Sequence, residues 1–264
     1  MLGRQFASLI LASSLLVAGC GEYVTFSKQS RARGLQYMET NQTEEAKGAF
    51  RDAVRQNPRD YQSYAHLAGL YQKERAYSQA VTNYRTSLDV QNITDEGRAD
   101  VEFKLKTIDA FAKCLAIADT HDSEVNTLEQ TAKSSTSGDE YLVLAKTFAA
   151  RGDADSAIDA YAKAAQQAPK SFYIAKDQGL YLEQVGHKPL AEQALRRAYR
   201  INPNDEAVST ALRRLGVVPG PALKEEGELV KPTLPRGPIP DYITPDRKPV
   251  QPVPAPAPGP PPAD

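Results

Sequence analysis

The chain has 264 residues, of which 25% are charged, and its formal net charge is -1. This balance provides no charge excess that would favour nucleic acid or an anionic membrane surface as a partner. The length allows one or two domains, and 15 of the 19 prolines follow residue 216, so the C-terminal part differs in kind from the rest.

The longest apolar stretch lies near the N-terminus, from Phe6 to Gly19, and follows the basic Arg4. A membrane-spanning helix needs about 20 apolar residues, so this shorter stretch predicts the apolar part of a secretory signal peptide. It ends in Val-Ala-Gly before Cys20, which resembles the bacterial lipobox, in which the cysteine is lipidated. An ordinary signal peptide with a chance cysteine is the alternative.

The resemblance to bacterial lipoproteins implies a signal peptide over 1–19, a lipid anchor on Cys20 and a short tether over 20–26. In that family an aspartate after the lipidated cysteine is a signal for the inner membrane, and Gly21 stands there instead. The implied location is the cell envelope, at the outer membrane facing the periplasm in a host that has one. Several acyl chains would anchor the protein firmly.

A repeat of 34 residues follows the tether. The segment 34–58 has the pattern Gly-x2-Tyr, Ala-x3-Phe, Ala and Pro, at Gly34, Tyr37, Ala46, Phe50, Ala53 and Pro58. The central pattern returns as Ala80 with Tyr84, Ala157 with Tyr161, and Ala191 with Leu195. This pattern resembles the tetratricopeptide repeat, a pair of antiparallel helices. Small residues at the recurring alanine position would allow the two helices to cross closely.

The repeats assign a fold class and a domain organisation. The resemblance implies an all-α solenoid over 27–216, with antiparallel helix pairs wound into a right-handed superhelix. We assign units 27–60, 61–94, 138–171 and 172–205, an irregular unit 95–137, and a capping helix 205–216.

Turn residues recur in phase with the units. Asn41, Gly152 and Gly186 are equivalent and can adopt the left-handed conformation that ends a helix. Prolines 58, 169 and 203 stop the second helix of their units. The second unit departs from both patterns, because it has Arg75 at the turn and Asn92 at the proline position.

The irregular unit lacks the signature and is nine residues too long for the 34-residue repeat. Apolar residues at helical spacing predict one long helix over about 95–119 and a shorter helix containing Leu128. The segment 134–138 is then a linker. Cys114 lies in the apolar part of the long helix and is interpreted as a buried core thiol.

The C-terminal segment 217–264 is rich in proline and predicts a disordered tail with extended polyproline II character. A spacer is the favoured interpretation. The alternative is a docking strip, with 238–245 as its most suitable motif because Tyr242 and Ile243 offer apolar anchors.

No pattern in the sequence indicates an enzyme or a cofactor. The histidines at 66, 121 and 187 are far apart, and no Cys-His or HExxH spacing indicates a metal site. A phosphate-binding glycine loop and a nucleophile elbow are both absent.

The resemblance implies instead a concave groove built from the first helix of each unit, which binds other proteins. The candidate groove residues are Lys28, Arg31, Leu35, Met38, Gln62, Gln72, Lys73, Leu142, Lys146, Tyr173, Lys176 and Leu180. Basic residues outnumber acids in this set, so an acidic and apolar peptide is the expected ligand.

The sequence therefore predicts a lipid-anchored scaffold that binds envelope proteins or peptides. Similar lipoproteins serve in pilus or secretion-system assembly. A structural linker, in which the tail engages the cell wall or a wall enzyme and the solenoid is a spacer, is the alternative. The oligomeric state and the partner stay open.

Overall fold

The structure, a computed structural model, describes residues 25–118, 121–221 and 223, and every regular element within these ranges is a helix. The predicted signal peptide, the lipidated Cys20 and nearly all of the predicted tail lie outside these ranges. The helices are α1 (25–39), α2 (Thr43–Gln56), α3 (Tyr61–Lys73), α4 (Tyr77–Ile93), α5 (Asp95–Ala99), α6 (Val101–Ile117), α7 (His121–Ser134), α8 (Asp139–Arg151), α9 (Ala154–Gln167), α10 (Phe172–Gln184), α11 (Lys188–Ile201) and α12 (Glu206–Arg214).

Tight turns join the helices into antiparallel pairs α1–α2, α3–α4, α8–α9 and α10–α11. Asn41, Gly152 and Gly186 have φ values of 58°, 78° and 87°, so the predicted left-handed turns are confirmed. Arg75 occupies the equivalent turn with a φ of 61° although it is not glycine or asparagine. A side chain with a Cβ is strained there, so this turn is the least favourable of the four.

The helices of a pair cross at small residues, as the repeat predicts. Ala46, Ala80, Ala157 and Ala191 are all fully buried. The crossing is so close at Gly179 that a Cβ there would lie 2.6 Å from Cγ of Leu195. At the equivalent Gly34, an added Cβ would lie 2.7 Å from Cε1 of Phe50. The repeat positions therefore form the interior of each pair, and the predicted all-α solenoid is confirmed.

The ends of the second helices follow the prolines. Helices α2, α9 and α11 each end two residues before Pro58, Pro169 and Pro203. Helix α4 has Asn92 at the proline position. It would end at residue 90 if it stopped where the other second helices do, but it continues to Ile93. The missing proline therefore accounts for the extended second helix.

The irregular segment differs from the prediction of one long helix over about 95–119. The helix is broken at Asp100, which separates α5 from α6 and has φ -84° and ψ 66°. Its carboxylate accepts a hydrogen bond from Phe103 N at 3.2 Å and so caps α6. The long-helix prediction was wrong because apolar spacing does not show where an aspartate will cap a new helix.

Helix α6 lies between α4 and α8 in the largest apolar core, to which it contributes Ile108, Phe111 and Leu115. Cys114 is fully buried beside them, and burial raises the pKa of its thiol to about 11. The core-thiol interpretation of Cys114 fits this environment. A second core joins α10, α11 and α12 and includes Leu223, which comes after α12 in the chain.

Candidate interaction face

The first helices of successive pairs lie side by side and are joined by polar contacts. We call the solvent-open side of α1, α3, α6, α8, α10 and α12 the first-helix face. A carboxylate at or near the start of α3, α6, α8 and α12 bonds a side chain of a neighbouring first helix, and a lysine links α8 to the helices on both sides.

Asp60 makes the first of these links. It is 3% exposed, caps α3 through Ser63 N at 3.2 Å, and forms an ion pair with Arg31 of α1 at 2.5 Å. Ser27 of α1 also donates a hydrogen bond to it at 2.9 Å. The predicted groove residue Arg31 is therefore half-buried, and its charge is already paired with the carboxylate of Asp60.

Asp100 links α3 to α6. Its Oδ2 accepts hydrogen bonds from the hydroxyl of Tyr61 at 3.1 Å and from the amide of Gln62 at 3.4 Å. Burial and then the hydrogen bond to Asp100 raise the pKa of Tyr61 to about 12. The side chain of Gln62, a predicted groove residue, thus takes part in the hydrogen bonding between α3 and α6.

Lys146 lies in the middle of the face and bridges three helices. Its ammonium group is 2.8 Å from Asp109 of α6 and 2.6 Å from Asp177 of α10. Burial alone would lower the pKa of Lys146, but the two carboxylates outweigh it and the pKa is raised. Lys146 therefore stays charged, and two carboxylates balance it.

Two further links join the C-terminal helices. The hydroxyl of Tyr173 donates to Asp139 at 2.7 Å, and Lys104 of α6 approaches the same carboxylate at 3.2 Å. Lys176 forms an ion pair with Asp205, the cap of α12, at 2.8 Å. Tyr173 and Lys176, both predicted groove residues, are thereby half-buried between helices.

The remaining predicted groove residues differ in accessibility. Lys28, Leu35 and Lys73 are exposed on the face. Gln72 accepts a hydrogen bond from the hydroxyl of Tyr84 at 2.8 Å. Leu142 is fully buried, so its assignment to the groove was wrong. The other two, Met38 and Leu180, are half-buried against apolar cores.

The burial of Leu142 follows from the packing of α8. Helix α8 packs against α6, α7 and α9, so almost its whole circumference is covered, whereas α1 has no helix before it within the described residues. The same repeat position is therefore core in one unit and accessible in another. Sequence spacing alone does not distinguish the two.

The predicted basic excess was also wrong. The sequence count omitted the carboxylates of Asp60, Asp109, Asp177 and Asp205, because none of them lies at a predicted groove position. In the structure these four carboxylates pair with Arg31, Lys146 and Lys176. The face is therefore mixed in charge, and its exposed groups include Lys28, Lys73 and the half-exposed Asp109.

Candidate metal ligands and the half-buried histidine can be located in the described ranges. No group of three His, Cys, Asp or Glu side chains in them could hold a metal ion. His66 stacks on Phe50 with ring centroids 5.1 Å apart, and burial lowers its pKa. In the same ranges no helix is both long and apolar enough to cross a membrane.

Comparison with known proteins finds one repeat family and several similar solved structures. A family profile described as tetratricopeptide repeat matches residues 31–89 and 142–206. One similar solved structure is YrrB, described as a TPR protein with an unusual peptide-binding site. It is 14% identical, with 72% of this chain and 90% of that chain covered and a TM-score of 0.37.

A second similar structure is PilF of Pseudomonas aeruginosa. It is 16% identical, with 75% of this chain and 85% of that chain covered and a TM-score of 0.40. A search of curated proteins gave no sequence match.

The helix pairs and the joined first helices define the class of the described part as an α-solenoid. Within that class, two segments, 31–89 and 142–206, are similar to the tetratricopeptide-repeat profile. Residues 90–141, which contain the broken helix and α7, lie between the matched segments.

Proposed function

We propose that this chain is a protein-interaction scaffold that binds a segment of a partner protein along the first-helix face. The observation that carries the proposal is the row of first helices, which interhelix ion pairs and hydrogen bonds hold in register. Such a row presents side chains from several units on one continuous surface, which is how solenoids bind extended partners.

The accessible residues indicate the kind of partner. Leu35 is 39% exposed next to the half-buried Met38, and the basic Lys28 and Lys73 lie on the same pair of first helices. Apolar contacts would supply most of the binding free energy, and the surrounding charges would give specificity. A partner segment with apolar anchors and acidic flanks suits this N-terminal part.

The paired cations have a different role in the proposal. Because Arg31, Lys146 and Lys176 already bind carboxylates of neighbouring helices, replacing them would disturb the row itself. Breaking a half-buried ion pair leaves one charge uncompensated and lowers stability. A binding test should therefore change the exposed residues and leave these three intact.

The location belongs to the same proposal. The apolar N-terminal stretch and Cys20 support a lipid anchor in a bacterial envelope, with a role in pilus or secretion-system assembly as the specific expectation. Cys20→Ser should move the protein from the membrane fraction to the soluble fraction. Full retention of the variant in the membrane fraction would contradict the lipid anchor.

The binding test uses the mature chain as bait on solubilised envelopes of its host. The face variant is Lys28→Glu, Leu35→Asp and Lys73→Glu. The matched control is Arg55→Glu, Val218→Asp and Lys170→Glu, which makes the same kinds of change at exposed residues outside the first helices. Melting temperatures would establish that all baits are folded.

The expected result is a partner that the wild type and the control retain and the face variant loses. A truncation after residue 223, which keeps the buried Leu223, tests the alternative linker function. If the partner is lost on truncation and kept by the face variant, the tail is the binding element and the proposed use of the first-helix face is wrong.

A further inference from the structure

An exposed aromatic side chain lies where the first three helices meet. Phe26, in the first turn of α1, is 53% exposed, more than any other aromatic side chain in the described part of the chain. Ser27, the next residue, donates a hydrogen bond to Asp60, directly before α3, at 2.9 Å. Ser30 donates to Gln56, at the end of α2, at 3.2 Å. Phe26 therefore lies at one end of the helix stack, beside the turn that joins α2 to α3.

Basic and apolar residues accompany Phe26 at this end. Lys28 lies two residues further along α1, Pro58 and Arg59 lie in the turn before α3, and all three are exposed. Within the described ranges, neither Lys28 nor Arg59 forms an ion pair with a carboxylate. The net charge of the whole chain is -1, so this excess of positive charge is local. We call Phe26, Lys28, Pro58 and Arg59 the α1–α3 corner.

Acidic residues near the corner are mostly neutralised. Asp52, near the end of α2, pairs with Arg55, and Asp95 of α5 pairs with Arg98. The glutamate in the first turn of α6 pairs with a lysine one turn later. Glu96 of α5 is exposed. An anionic surface would therefore attract the α1–α3 corner and not the neighbouring α5.

The position of Cys20 in the chain indicates which surface covers the corner. Phe26 follows Cys20 by six residues, and six residues of chain span at most about 20 Å. A lipid anchor on Cys20 keeps Phe26 within that distance of the bilayer, whatever the conformation of the tether. Aromatic and basic side chains are the groups that bind at the bilayer interface. This step rests on the lipid anchor of the proposed function.

We propose that the α1–α3 corner rests on the anionic surface of the membrane in which Cys20 is anchored. The ring of Phe26 lies at the level of the lipid headgroups, and Lys28 and Arg59 bind lipid phosphates. Because the short tether gives the corner a high effective concentration at the surface, a small contact is sufficient. The solenoid then stands with the start of α1 at the membrane, and the rest of the first-helix face stays accessible.

The test uses tryptophan as a fluorescent depth probe, because the chain contains none. Phe26→Trp places the probe in the corner, and Ile117→Trp places the matched control at the opposite end of α6, where Ile117 is 56% exposed. The chain from residue 20 onward is coupled through the Cys20 thiol to maleimide lipids in vesicles. Cys114 does not compete, because it is fully buried and burial raises the pKa of its thiol to about 11.

The vesicles contain phosphatidylglycerol and phosphatidylcholine with brominated acyl chains, which quench tryptophan near the bilayer. The emission of Phe26→Trp is expected to fall about twofold or more on coupling and to shift to shorter wavelength. Ile117→Trp should keep the emission of the uncoupled protein. Quenching of neither probe would overturn the proposal. Equal quenching of both would also overturn it, because the corner would then have no preference for the membrane.

The charge of the corner is tested in the Phe26→Trp background. Arg59→Glu should reduce the quenching by about half or more, because it replaces a phosphate-binding cation with an anion. The matched control is Lys170→Glu, at an exposed residue between α9 and α10, which should leave the quenching unchanged. Vesicles of phosphatidylcholine alone should also quench less. Equal quenching of the two charge variants would overturn the binding of anionic lipid.

Failure of this proposal is distinguishable from failure of the lipid anchor. The maleimide coupling supplies an anchor chemically, so the vesicle result does not depend on natural lipidation, whereas the fractionation of Cys20→Ser depends on it alone. Release of Cys20→Ser together with an unquenched corner probe would leave the anchor intact and overturn only the membrane contact.

Discussion

The two C-terminal pairs, α8–α9 and α10–α11, and the middle segment α5–α7 are stabilised in different ways. In the pairs, each first helix packs most closely on its own second helix, across fully buried alanines such as Ala157 and Ala191. In the middle segment, α6 packs on α4 and α8 far more than on α7. The repeat signature therefore encodes contacts within a unit, and where it is missing the neighbouring units hold the helix.

The middle segment lacks the repeat signature, and polar contacts stabilise its helices instead. Thr94 caps α5 through Gly97 N, and Asp100 caps α6 and accepts the Tyr61 hydroxyl. Lys104 bonds both Asn92 and Asp139. The middle segment should thus depend on single polar side chains, whereas the pairs should depend on the size of their crossing residues.

The largest expected effect comes from a regular pair. Ala157→Leu adds volume at a fully buried crossing of α8 and α9 and should lower the free energy of unfolding by about 1–3 kcal/mol. Urea unfolding measures the change. The control is Ala150→Leu, at an exposed position of α8, which should change the free energy of unfolding by less than about 0.5 kcal/mol. Equal stability of the two variants would show that the assigned crossing position is wrong.

The middle segment is tested at its capping residue. Asp100→Ala removes the cap of α6 and leaves the buried Tyr61 hydroxyl without its acceptor, so it should cost about 1–2 kcal/mol. The same variant should lower the pKa of Tyr61, which ultraviolet titration measures.

The comparison for Asp100 is Asp153→Ala in a regular pair. Asp153 caps α9 through Ser156 N and is exposed, so only a cap is lost, at a cost of about 1 kcal/mol or less. A cost for Asp153→Ala as large as that for Asp100→Ala would contradict the view that the middle segment relies more on single polar residues.

The sequence predicted the parts of the fold that the repeat encodes. The crossing alanines, the left-handed turns at Asn41, Gly152 and Gly186, and the effect of the missing proline at Asn92 all follow from local residue chemistry. The break at Asp100 was not predicted, because it depends on Tyr61 and Gln62 of another helix as well as on the local cap. Contacts between units have no fixed spacing in the sequence.

A smaller effect is expected at the strained turn of the second pair. Arg75 has a φ of 61°, which costs a residue with a Cβ about 1–2 kcal/mol. Arg75→Gly relieves this strain but adds freedom to the unfolded chain, so a net gain of about 0.5–1 kcal/mol is expected. Urea unfolding measures the gain.

The reverse substitution, from glycine to alanine, tests the same backbone strain in a regular pair. Gly152 has a φ of 78°, and a Cβ there would meet no atom within 4 Å, so any loss in Gly152→Ala comes from the backbone alone. We expect a loss of about 1 kcal/mol. If Arg75→Gly destabilises while Gly152→Ala is neutral, the two turns are not equivalent.

The interaction face was predicted less well than the fold. The sequence put Lys28, Leu35 and Lys73 on first helices, and the structure shows these residues exposed there. It failed for Leu142 and for the charge of the face, because burial and ion pairing depend on which helices lie alongside. The carboxylates of Asp109 and Asp177 reach Lys146 from two other units.

The smallest effect concerns the N-terminal pairs and appears only with pH. Burial lowers the pKa of His66, the positive charge of Arg31 lowers it further, and Asp60 opposes both. The unfolded chain therefore binds a proton at this histidine before the folded protein does, and the stability from neutral His66 is lost as the pH falls through about 6.5. The loss is complete once the pH is below the folded pKa. Urea midpoints at pH 7.5, 6.5 and 5.5 should fall more steeply for the wild type than for His66→Gln, in which this contribution is absent. A parallel fall in both proteins would mean that His66, although stacked on Phe50, titrates alike in the folded and unfolded states.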